Sequence, residues 1–208
     1  MQRPDEHKRQ LIIDTAGRFF ATQPFHKVRL DDIAAAAKLG KGTLYIYFDS
    51  KEDLYFSLIY EGFAKLVDEL RGQLAGEQSR PAVECLEVIV RALVASAFQN
   101  PHFFELMRTT NVVVPGQIEP AWQAKRQEFQ QLVADTIRRG VERGELTDPR
   151  PELTAVCIPG MLRSLMLFGP QGMDEKTVSE QIFRVLTRGI VTESSMATAG
   201  RDMAEETR

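Results

Sequence analysis

Apolar residues recur along this chain at intervals of three and four, the spacing that lines one side of an α-helix, and no run alternates in the manner of a strand. The pattern predicts an all-α protein. Ile12, Ala16, Phe19 and Phe20 mark a first helix over about residues 5–22, ended by "TQPF" because Pro24 cannot continue it. "LDDIAAAAKL" predicts a short second helix with Asp31 and Asp32 near its positive end. A third is expected over about residues 41–48, with Leu44 and Phe48 pointing together onto Ile33, Ala37 and Phe20. "DSKEDL" then opens a long helix to about residue 74: Asp49 or Ser50 caps it, with Glu52 or Asp53 as the reciprocal partner. Leu54, Leu58, Phe63, Leu66, Val67 and Leu70 form its apolar stripe.

"AGEQSRP" reads as a linker, and beyond it the periodicity predicts a helical array. Val83, Leu86, Val90, Leu93, Val94 and Ala97 line one helix, and "NPHFFELM" starts another with Asn100 as cap and Pro101 in its first turn. "NVVVPGQIEP" reads as a loop. Phe129, Leu132, Val133, Ile137 and Val141 line a long amphipathic helix. "DPRPEL" begins the next, keeping Leu153, Cys157, Met161, Leu165 and Phe168 in register; an interior proline costs about 3 kcal/mol, so a kink is expected at Pro159. Val178, Ile182, Val185 and Leu186 define the last helix, and residues 194–208, small and polar without an apolar period, read as a disordered tail.

Charge changes this picture in one respect. A net charge of −3 over 208 residues argues, as a mean, against a nucleic-acid partner. The mean hides a split: residues 1–52 carry nine Lys/Arg against seven Asp/Glu, while the remainder carries seventeen against twenty-two. A modestly basic head sits on an acidic body. Other chemistry is sparse. Cys85 and Cys157 form no CxxC, and His7, His26 and His102 share no ligand spacing, so neither a metal site nor a cofactor is expected. There is no nucleophile elbow, phosphate loop or clearly partnered carboxylate pair, which argues against an enzyme. The charged first ten residues and the lack of a long uninterrupted apolar run predict a soluble cytoplasmic protein with no membrane partner.

The head carries the sharper signal. A short helix, a tight connection and a second helix with polar groups at its start make a helix-turn-helix arrangement, whose second helix enters the major groove. In "LGKGTLYIYFDSKEDL", residues 39–54, Leu44 and Phe48 face the core and leave Lys41, Thr43, Tyr45 and Tyr47 outward. Gly42 lets backbone approach a phosphate or base edge, Thr43 can bond a base edge, and Lys41 can reach guanine acceptors or a phosphate. Tyr45 and Tyr47 offer hydroxyls to phosphate oxygens, and Lys51 adds charge to backbone amides at the start of the long helix.

"IAAAAKLGKGTLYIYFDSKEDL" resembles the signature of the TetR/AcrR family of bacterial transcriptional regulators, over about residues 8–60. The resemblance implies a homodimer with a three-helix DNA-binding domain at 1–50 and a helical ligand-binding and dimerisation domain at 51–193. It implies a double-stranded DNA operator of palindromic sequence and a small-molecule effector that relieves repression. It places DNA contacts on Arg29, Lys41, Gly42, Thr43, Tyr45, Tyr47 and Lys51. Three departures stand out: Arg29 where a capping threonine is usual, Lys38 where a turn glycine is usual, and Gly40 where a serine precedes the recognition helix. If Lys38 keeps a left-handed conformation, the strain is on the order of 1–2 kcal/mol.

In the body, Phe63, Phe98, Phe103, Met107, Trp122, Phe129, Met161 and Phe168 are candidates to line a cavity for a small, mostly apolar ligand, with Arg108 and Arg163 available to an anionic group. The alternative for each aromatic or methionine is plain core. The resemblance further implies that helices over 153–168 and 178–191 pack against their copies in a four-helix bundle, with Gly160 and Ser164 at the seam. A reading from another class is a helical protein-interaction module whose head binds a protein partner.

Overall fold

The computed structural model describes residues 5–75, 79–100 and 119–188, and over them the chain forms eight α-helices and no strand. Helix α1 spans Glu6–Thr22, α2 Leu30–Ala36, α3 Lys41–Tyr47 and α4 Lys51–Ala75. After residues 76–78 come α5 at Ala82–Gln99, α6 at Glu119–Glu142, α7 at Pro151–Phe168 and α8 at Glu175–Arg188. The expected "NPHFFELM" helix, most of the "NVVVPGQIEP" loop and the 194–208 tail lie outside the described residues.

Local chemistry sets the boundaries in the head. Asp5 caps α1, its carboxylate accepting from the His7 amide at 3.0 Å. Ser50 Oγ accepts from the Asp53 amide, while the Asp53 carboxylate accepts from the Asp49 amide, each at 3.0 Å, so the start of α4 is tied in both directions. Between α2 and α3 the Leu39 amide donates to Ala34 O at 2.9 Å and the Lys38 amide to Ala35 O at 3.0 Å, with Lys38 at φ 56°. That is the paired closure in which a left-handed residue ends a helix, performed here by a lysine.

Two apolar cores result, and α4 belongs to both. Ile12, Ile13, Ala16, Phe20, Val28, Ile33, Ala34, Leu44 and Phe48 close the head core together with Leu54, Tyr55, Phe56 and Ile59 from the first turns of α4. Val67, Leu70 and Leu74, further along the same helix, enter the body core with residues of α5 to α8. The expected boundary after residue 50 thus precedes the helix that packs with both parts. Twenty-five residues make α4 about 37 Å long, enough to serve them at opposite ends.

The register predicted for α7 is corrected. Ala155, Ile158 and Leu162 are its buried residues, with Met161, Leu165 and Met166 half-buried beside them. Leu153 (55% exposed), Cys157 and Phe168 (81% exposed) lie outside the core. The helix is apolar nearly all round, so periodicity alone does not choose which face turns inward. It is also, among the described residues, the one helix long and apolar enough to cross a membrane by length and composition, with a mean hydropathy of 1.2. The helix continues through Pro159 without interruption. Asn100 closes α5, its side-chain amide donating to Ser96 O at 2.9 Å, and the helix it is expected to cap lies outside the described residues.

Candidate nucleic-acid interface

Helix α3 stands on the head core by one fully buried residue, Leu44, with Phe48 buried just past its end. Everything else on this two-turn helix is exposed or half-buried. Tyr45 and Ile46 are exposed, and Gly42 opens onto space, with nothing within 4 Å of where a Cβ would stand. Thr43 is half-buried on one flank.

Three cations around α3, those of Arg29, Lys41 and Lys51, are engaged within the protein. Lys41 Nζ lies 2.9 Å from Asp31 Oδ1 and 3.0 Å from Oδ2, with an Arg29 nitrogen 3.7 Å from Oδ2. The hydrogen bond from Lys41 holds the Asp31 carboxyl below its ordinary value, and the same bond raises the Lys41 ammonium. Both side chains are well exposed, so water screens the pair and its net worth is small. Arg29 sits at the start of α2 without making a side-chain cap, as its chemistry requires.

Two predicted contact residues have structural partners. The Tyr47 hydroxyl accepts from the Asp5 amide at 3.1 Å, bracing α3 against the start of α1. Lys51 Nζ donates to Phe25 O at 2.9 Å and Val28 O at 3.2 Å and lies 4.4 Å from the centroid of the Phe25 ring. Two of its three N–H donors thereby pin the α1–α2 connection to the start of α4. Such long-range partnerships leave no periodic trace. The exposure of Ile46 had one: it falls two residues after Leu44, on the opposite side of the helix.

The ligand candidates divide. Phe129 is 1% exposed and is core. Phe63, Phe98 and Met161 are half-buried against the body core. The Phe63 ring meets Trp122 at 5.3 Å and Phe129 at 5.9 Å, while Trp122 packs against the head core. Phe168 is exposed at the end of α7, and Phe103, Met107 and Arg108 lie outside the described residues. Arg163 is exposed on α7. A solvent-open groove of about 590 Å³ between α5 and α8 is lined by Glu87, Arg91, Lys176, Ser179 and Phe183 among others, and by none of the predicted ligand residues. Among the described residues, no group of three or more His, Cys, Asp and Glu is placed to hold a metal ion.

Comparison with known proteins places this geometry. Residues 12–58 match the family described as bacterial regulatory proteins, tetR family, and residues 79–190 match a tetracyclin repressor-like C-terminal domain. An uncharacterised HTH-type transcriptional regulator of Bacillus subtilis, YhgD, is 26% identical over 151 residues, covering 71% of this chain and 76% of its own. An HTH-type transcriptional repressor of Streptomyces coelicolor is 26% identical over 183 residues, covering 83% and 90%. The crystal structure of FadR from Bacillus subtilis in complex with stearoyl-CoA superposes with a TM-score of 0.67 at 19% identity, covering 88% of this chain and 99% of that one, and so shares the fold.

Proposed function

The chain belongs to the tetR family of bacterial regulatory proteins and is a DNA-binding regulator of transcription, and on that premise we propose that it is a cytoplasmic, ligand-released repressor. Two copies bind a palindromic operator, their α3 helices entering successive major grooves about 34–36 Å apart. Residues 1–50, braced by the start of α4, read the DNA, and residues 51–193 bind ligand and dimerise. The observation that carries this reading is the outward face of α3, held above a closed core by Leu44 and flanked by the cations of Arg29 and Lys41.

Gly42, Thr43 and Tyr45 lie on or beside that face. Lys41 leaves Asp31 for a phosphate or guanine, an exchange of one exposed ion pair for another. Tyr47 and Lys51 keep their internal bonds and offer what remains, the phenolic proton and the third ammonium N–H, to phosphates.

The effector is a small, mostly apolar molecule bound beside Phe63, Phe98 and Met161, which are half-buried against the body core. The fold shared with FadR makes a fatty acyl-CoA the first probe to use. Binding shifts α4 and widens the spacing of the α3 helices. A preference of about 1–3 kcal/mol for the wide state releases DNA about 5- to 150-fold.

Titration of the DNA upstream of the gene, with and without stearoyl-CoA and a panel of apolar compounds, tests both halves. The expected results are salt-dependent, sequence-selective binding and weakening by at least one ligand. Indifference to sequence would end the DNA reading, and unchanged affinity across the panel would end the effector reading.

A further inference from the structure

Helix α3 presents an apolar centre between polar flanks, and the centre is Ile46. Each residue turns an α-helix by about 100°. Measured from Leu44, which is 0% exposed and marks the core side, Gly42 and Ile46 fall about 160° away on either hand and bracket the outward pole. Lys41 and Tyr45 lie on one flank, and Thr43 and Tyr47 on the other. Ile46 is 71% exposed, far more than its neighbour Tyr45 at 45%. A single exposed isoleucine is ordinary on a protein surface. This one stands at the pole of a two-turn helix whose flanks carry every hydroxyl and ammonium, next to a glycine with open space above it.

Phosphates border the major groove and base edges form its floor. On a helix lying in the groove, residues on the flanks meet phosphates and the outer base edges, and those at the outward pole meet the floor. The pole offers no hydrogen-bond donor or acceptor from either side chain. The one apolar group on the groove floor is the 5-methyl of thymine. We propose that Ile46 reads a thymine 5-methyl in each operator half-site, with Gly42 leaving the room in which that methyl seats. The inference rests on the reading of α3 as the groove-entering helix and adds a specificity-determining residue to it.

The test removes the methyl and nothing else. Duplexes are selected by the full-length wild-type chain from a randomised library at fixed salt, then resynthesised with deoxyuridine for thymidine at one position at a time. One position per half-site is expected to cost the wild type about fourfold in affinity, the worth of one buried methyl-sized group. The same change should cost Ile46→Ala nothing, while Ile46→Val keeps most of the penalty. Ile46 touches neither core, so the variants should melt with the wild type. An equal penalty in wild type and Ile46→Ala, no penalty at any position, or selected sites without thymine would each overturn the proposal while leaving DNA binding intact. A wild-type chain that selects no sequence at all would overturn the DNA reading and this inference with it.

Discussion

Lys38 occupies a backbone position that favours glycine. Its φ of 56° lies in the left-handed region, and the turn holds it there through the Lys38 and Leu39 amides. A side chain in that conformation costs on the order of 1–2 kcal/mol. Lys38→Gly is expected to gain about 1 kcal/mol and raise Tm by about 2–4 °C, read by thermal denaturation. The strain was foreseeable from the family resemblance, because a lysine stands where a turn glycine is usual. The partners of Lys51 were not. Its position in the first turn of a helix suggested an anion, yet the carbonyls of Phe25 and Val28, more than twenty residues earlier, take the ammonium. Only closure of the head core brings those carbonyls within reach.

Between elements, the pairing of α4 with α6 adds a second tie between the two parts, beside the shared helix α4 itself. The Phe63 ring packs at a tilt against Trp122, and one to two turns further along α4 Lys125 meets Asp68 at 2.7 Å and Glu128 at 2.9 Å, while Arg71 meets Glu128 at 2.7 Å. Because Trp122 also packs on the head core, any displacement of α6 is felt by both parts. The hydrogen bond from Lys125, then that from Arg71, holds the Glu128 carboxyl below its ordinary 4.5. Asp68, then Glu128, holds the Lys125 ammonium above its ordinary 10.5. A depressed carboxyl stabilises the fold above its ordinary value and loses that contribution as pH falls through the depressed one. A raised ammonium stabilises below its ordinary value and loses it as pH rises through the raised one. The Tm difference between wild type and Glu128→Gln is therefore expected to be largest between pH 4.5 and 10.5. It should shrink in acid and with added salt, since Asp68, Arg71 and Glu128 are open to water around the half-buried Lys125; a difference that grows below pH 4 would contradict the assignment.

For the whole molecule, the informative surface is the outer side of α7. Leu153, Val156, Cys157, Gly160 and Ser164 lie exposed at intervals of three and four, a second stripe that mirrors the buried one. In the dimer proposed above, this stripe is the face toward the second copy of the chain, where the small residues Gly160 and Ser164 permit close approach of helices. Val156→Asp would place a charge in that seam on each copy. It is expected to raise the dimer dissociation constant more than about tenfold while leaving helicity unchanged, as measured by sedimentation equilibrium and circular dichroism. An unchanged association constant would remove α7 from the dimer interface. The same variant should weaken binding to a palindromic site more than to a half-site.

The all-α class, the helix order in the head, a cap at either Asp49 or Ser50 and the inward roles of Leu44 and Phe48 were determined by the sequence alone. Each depends on residues within one or two helical turns, whose spacing is written directly in the chain. Tertiary structure decided which face of α7 is buried, which carbonyls Lys51 binds, that Lys41 is held by Asp31, and that Trp122 reaches the head core. These depend on where separate helices meet. An evenly apolar helix or a long cationic side chain is compatible with several such meetings until packing selects one.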